Sequence, residues 1–199
     1  MKTFKFIFPL FVLASSANAA IIYSGIKNIL IPTTLIGVYI DIDGGGTVAE
    51  EATGWDVNFV FNGEGIGNSQ VFQTVATTIA LDAPTLNLSS GQIVGSSSTF
   101  STPYPGGYSS SATHIGTNPG QFASSTEGYI GFKFTTNSSA GPYYGWMRVE
   151  LSNTPNTGLV KDWAYEDSGS SISVGAVPEP SSTLCLLTAS LAFCYRRRR

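Results

Sequence analysis

The chain has 199 residues, 42% of them hydrophobic and only 12% charged, with a formal net charge of −3 and two cysteines. That length suits one domain and little more, apolar and aromatic residues are too plentiful for a disordered chain, and two cysteines make no disulfide scaffold. The acidic balance excludes the basic footprint of a nucleic-acid binder.

At the N-terminus, Lys2 and Lys5 precede an apolar run from Phe6 to Ala14 and a polar step at Ser15-Ser16. Ala17-Asn18-Ala19 then places small residues where a signal peptidase requires them. Residues 1–19 therefore read as a secretory signal peptide, cleaved between Ala19 and Ala20. The run is too short to span a bilayer.

Residues 20–177 read as short strands between turns, the pattern of an all-β, antiparallel β-sandwich of jelly-roll-like type. Ile36, Val38, Ile40 and Ile42 alternate with other residues. So do Trp55, Val57, Phe59 and Phe61, which places Asp56, Asn58 and Asn62 on the opposite, solvated side. A Thr- and Val-rich run from Gln70 to Leu81 follows. Ile130, Phe132 and Phe134 repeat the period of two, as do Met147, Val149 and Leu151, and Leu159–Tyr165 and Ile172–Val174 complete the set. Gly44-Gly45-Gly46, Asn62-Gly63, Asn137-Ser138-Ser139 and Asn156-Thr157-Gly158 supply the turns. Residues 95–120, rich in Ser, Gly and Pro, are predicted as a long surface loop.

Few residues of this middle region suggest chemistry. Asp41 and Asp43, two apart before a glycine turn, could direct oxygens at one Ca²⁺, with the Thr47 carbonyl and Glu50 completing the set. The EF-hand pattern fails at Gly45 and Ala52, and the ligand count favours a plain strand end, so no metal or other cofactor is expected. His114 is the only histidine and lies in the Ser/Gly/Pro loop, with no Gly-x-Ser-x-Gly elbow anywhere to partner it. Both cysteines, Cys185 and Cys194, lie near the C-terminus, leaving no thiol nucleophile in residues 20–177. No catalytic residue is assigned. The acid pairs Asp41/Asp43, Glu50/Glu51 and Glu166/Asp167 keep a carbohydrate-active enzyme as the last alternative. Ahead of it stands a polysaccharide-binding module. Trp146 shares a face with Arg148 and Glu150, opposite Met147 and Val149, which makes Trp146 and Arg148 the predicted ligand-binding pair. The competing account is that Trp146 is buried under a loop or the other sheet, as tryptophans usually are.

The C-terminal segment is more specific. Pro178-Glu179-Pro180 forms a stiff spacer, since two prolines two apart forbid helix and central strand. The uncharged apolar run from Leu184 to Tyr195 ends in Arg196, Arg197, Arg198 and Arg199, an arrangement that enters a membrane and leaves arginines on the cytoplasmic side. As a helix, Ser181–Tyr195 is about 22 Å long, short of the ~30 Å hydrocarbon core, and arginine snorkelling with local thinning closes the gap. Residues 178–199 resemble the PEP-CTERM sorting signal. The resemblance implies an exported protein of a Gram-negative bacterium, processed by signal peptidase and by a membrane-embedded exosortase that recognises Pro178, Glu179 and Pro180. It also implies a transmembrane tether before processing, and afterwards a place at the envelope surface or in an exopolysaccharide matrix. Gly128–Phe134, Tyr144–Val149 and Asp162–Glu166 resemble blocks that precede many such tails, in a module with no activity to carry over. The expected role is that of a non-enzymatic surface or matrix protein.

Overall fold

The computed structural model describes residues 20–80, 83–102, 108–110, 115–136 and 141–178. The predicted signal peptide with Ala17 and Ala19, His114 and the turn at residues 137–139 lie outside the described residues. So does everything from Glu179 onward, including Pro180 and the cluster Arg196, Arg197, Arg198 and Arg199.

The alternating runs form strands. In chain order these are β1 (Ile21–Tyr23), β2 (Ile29–Leu30), β3 (Val38–Asp41), β4 (Gly46–Val48), β5 (Val57–Val60), β6 (Gly65–Asn68) and β7 (Phe72–Thr74). There follow β8 (Asn87–Leu88), β9 (Ile93–Val94), β10 (Tyr108–Ser110), β11 (Thr126–Phe134), β12 (Tyr143–Leu151), β13 (Leu159–Glu166) and β14 (Ile172–Ser173). The larger sheet has the order β1-β13-β12-β11-β7, with β2 also on β13 and β8 also on β11. The smaller sheet runs β10-β6-β5-β3-β4, and β14 pairs with β9 as a separate ribbon. Each of these strand pairs is antiparallel. The expected all-β, antiparallel architecture is observed, and no helix among the described residues is long and apolar enough to cross a membrane.

Two apolar clusters hold the strands together. In the first, Ile40, Val57, Phe59 and Ile66 of the smaller sheet meet Ile130, Phe132, Met147, Val149 and Trp163 of the larger. The second lies on the other face of the larger sheet, where Trp146, Tyr144 and Ala164 are covered by Val94, Phe100, Ile172 and Val174. The β11–β12–β13 meander is thus covered on both faces around Tyr144, Trp146 and Ala164, while Glu127, Arg148, Glu150 and Lys161 keep part of its outer face in contact with solvent.

That cover revises several sequence expectations. Residues 95–120 are not simply a surface loop: Phe100 and Ser101 are buried, and β10 adds a strand to the edge of the smaller sheet. β5 does not turn polar residues to solvent either, because Asp56, Asn58 and Val60 are as buried as Val57 and Phe59. Ile36 and Gly37 pack over its outer side, with Asn58 Nδ2 donating to the Ile36 carbonyl at 3.0 Å and Gly37 lying against Asn58 and Val60. Phe61, predicted inward, is 41% exposed, since the backbone turns at Phe61 and Asn62 with positive φ. In β13, Val160 and Trp163 both face the first cluster although three residues apart, because a register shift against β12 inserts Lys161. The Lys161 carbonyl then accepts the amides of Lys27 and Asn28, which pins the β1–β2 connection.

At the start of β1, Ala20 N–H donates to Asp167 Oδ1 at 3.0 Å and the Ala20 carbonyl accepts from Asp167 N–H. In the middle of the meander, Gly145 lies opposite Phe132, whose ring occupies the space a side chain on Gly145 would need. A Cβ there would also come within 2.6 Å of the Ala164 carbonyl. Gly145→Ala is therefore expected to destabilise the domain by about 2 kcal/mol, the usual cost of overpacking a filled core, read as a lower urea midpoint with unchanged slope.

Candidate functional site

An open cleft of about 740 Å³ lies at one end of the sandwich, lined among others by Asp41, Asp43, Trp55, Asp56, Gln70 and Thr135. Its wall is built locally. β3 ends at Asp41, and the chain reverses through Gly44 and Gly45, the latter at φ +76°. Asp41 Oδ1 accepts the Gly44 amide at 2.5 Å. A side chain on Gly44 would collide with that carboxylate, so the glycine is required by the cap. Asp56, just before β5, reaches across to accept the Ile42 amide on Oδ2 at 2.7 Å.

Carboxylate oxygens of Asp41, Asp43 and Asp56 lie within 4.8 Å of one another. Asp56 is only 3% exposed. Burial pushes its carboxyl up to about 7, and the charges of Asp43 and Asp41 add to that rise against the hydrogen bond from Ile42. Asp43 is also raised, by desolvation first and then by the hydrogen bond and charge of Asp41. Among the described residues, no Lys, Arg or His lines the cleft. In donor chemistry the trio suits a hard cation such as Ca²⁺, yet two of its three carboxylates already hold amides of the β3–β4 turn.

Of the residues singled out by the sequence, Asp41 and Asp43 come together here, whereas Glu50 is exposed and stands outside the trio. Asp56 takes its place. Alternation puts Asp56 on the solvated side of its strand, and the Asp56–Ile42 contact spans two strands, so no local pattern marks it. Trp55, which the same alternation turns to the core with Val57, is instead half-buried at the cleft, edge-on to Tyr39 with ring centroids 5.2 Å apart.

Trp146 and Arg148 do not form a ligand platform. Trp146 is 2% exposed, flanked by Tyr23 and Tyr129 at centroid distances of 6.3 and 5.8 Å. Its Nε1 donates to the Ala176 carbonyl at 3.0 Å. The alternation places it on the correct face, but that face is covered by the second cluster. Arg148 is half-buried in an ion pair with Asp162, donating from Nε at 3.0 Å and from Nη2 at 2.5 Å, while Tyr23 Oη donates to the same carboxylate at 2.8 Å. That pairing holds the guanidinium pKa above its ordinary value. Glu127 bridges Arg148 and Lys161, and these contacts, with the Lys161 hydrogen bond first, hold its carboxyl below the usual range. Pro178 is described and exposed.

Residues 176–199 match the family model of the PEP-CTERM protein-sorting motif. No curated protein and no solved structure matches the chain.

A raised carboxyl pKa has a definite sign in stability. Folded Asp56 keeps its proton between about pH 4 and pH 7 while the unfolded chain gives it up, so its favourable contribution is full below pH 4 and is lost as pH rises to 7. Asp56→Asn keeps an acceptor for Ile42 without the charge. With a chelator present, it is expected to raise the melting temperature at pH 8 by about 5 °C and leave it unchanged at pH 4, which thermal melts at the two pH values check.

Proposed function

From the PEP-CTERM motif at residues 176–199, which implies an exported, envelope-sorted substrate of an exosortase, we propose that this chain is a non-enzymatic surface or extracellular-matrix protein. The observation that carries the reading is the position of the motif. It starts at Ala176, directly behind β14, the last strand among the described residues, so the β-sandwich is the cargo and the tail is its address. The cluster Arg196, Arg197, Arg198 and Arg199 would hold the apolar segment in the membrane until Pro178-Glu179-Pro180 is processed. A structural duty for the acids supports the non-enzymatic reading, since Asp41 and Asp56 both brace the β3–β4 turn.

A second reading, polysaccharide binding, is favoured by one observation: Trp55 beside Gln70 and Thr135 in the open cleft, an aromatic with hydrogen-bonding neighbours. Trp55→Ala would then abolish retention on a neutral glycan column, while Trp146→Phe would not.

Glu179→Ala and deletion of Arg196–Arg199 are each expected to leave export intact and to change tail processing or retention. Intact-mass spectrometry of envelope and released fractions reads both effects. Unchanged mass and location in both variants would remove the sorting reading.

A further inference from the structure

The domain and its sorting signal are joined without a free linker. Ile172 and Ser173 pair with β9. Val174 N–H donates to the Gln92 carbonyl at 2.8 Å, and the Val174 carbonyl accepts from Gly91 at 3.0 Å. Ala176 N–H donates to the Ser173 carbonyl at 3.0 Å across a turn in which Gly175 has φ +84°. The Ala176 carbonyl takes the buried indole N–H of Trp146, and Ala176 itself packs against the second apolar cluster. Only Val177, 44% exposed, separates this fixed segment from Pro178.

An enzyme that works on a peptide segment binds it extended, usually over several residues and often as an added strand. At no more than about 3.6 Å per residue, Val177 alone provides almost no reach. The residues that lead into Pro178-Glu179-Pro180 are in a turn and hydrogen-bonded, which is the wrong shape for such a cleft.

We propose that Trp146 is a positioning residue for the sorting reaction: by holding the Ala176 carbonyl it fixes where Pro178-Glu179-Pro180 leaves the domain, and the Val174–Ala176 turn must open before the exosortase engages the signal. The proposal rests on the sorting reading above. Processing is then governed by a local opening of the C-terminal turn, separate from global unfolding.

The test follows loss of the tail mass by pulse-chase, with the full chain expressed in an exporting host that carries the exosortase. Trp146→Phe removes the indole donor and keeps a ring, and it is expected to speed processing about fivefold, as loss of one hydrogen bond shifts an opening equilibrium. Trp163→Phe is the control: that indole donates to the Ile42 carbonyl at 3.1 Å within the first cluster, so its loss weakens the fold without touching the exit and should not speed processing. A six-residue Gly/Ser insertion between Val177 and Pro178 leaves every described contact in place. It is expected to give fast processing that Trp146→Phe no longer changes. Equal rates for the wild type and the insertion, or equal acceleration by Trp146→Phe and Trp163→Phe, would overturn the proposal. Failure of every variant to be processed, the insertion included, would remove the sorting reading itself.

Discussion

The structure depends on the burial of one antiparallel meander from both sides. β11, β12 and β13 supply the floor of the core shared with the smaller sheet and, on their reverse face, the floor of a second core roofed by β9, β14 and the segment around Phe100. Where the sheet is covered twice its polar groups lose water and must find a partner inside the protein. Asp162 takes Arg148 and Tyr23. Glu166 takes the amides of Ser168 and Ser170 at 2.9 and 2.5 Å, forming the turn that leads into β14. The indoles of Trp163 and Trp146 each reach a carbonyl in the layer that covers them, Ile42 on one side and Ala176 on the other. Those two bonds tie three layers together.

The inner face is legible because it obeys a period of two. Ile130, Phe132 and Phe134, then Met147, Val149 and Leu151, read inward from the sequence and are buried in the first cluster. The outer face is not legible, and the reason is distance along the chain. The residues that cover Trp146 come from β9, from β14 and from Ala176, and nothing near position 146 announces them. Alternation therefore assigns Trp146 the right side and the wrong surroundings. The solvated side assigned to Asp56 and Asn58 fails for the same reason. Ile36, which covers Asn58, lies 22 positions before it, and Ile42 lies 14 before Asp56. The candidate cleft is half-legible: Asp41 and Asp43 share one turn, whereas Asp56 joins them only through strand pairing.

Charge follows the same pattern of internal pairing. Between residues 20 and 177 the cations are Lys27, Lys133, Arg148 and Lys161. Arg148 and Lys161 pair with Asp162, Glu127 and Glu150, while Lys27 and Lys133 lie over the rings of Trp163 and Phe100 at 6.0 and 4.6 Å. Among the described residues, the acids around the cleft face no counter-charge from its lining. The lining of the cleft is thus acidic, a field that matters more for what approaches the protein than for how it folds.

Ala20 gives the first strand an ending with a second meaning. Its amide rests on the Asp167 carboxylate, a neutral donor on a charged acceptor. Cleavage of the Ala19–Ala20 bond, where the small-residue motif points, would turn that amide into an ammonium in the same place. β1 is an edge strand of the larger sheet, the position most exposed to pairing with a foreign chain. Such a cut would also convert the clasp beside that edge from a dipole into an ion pair.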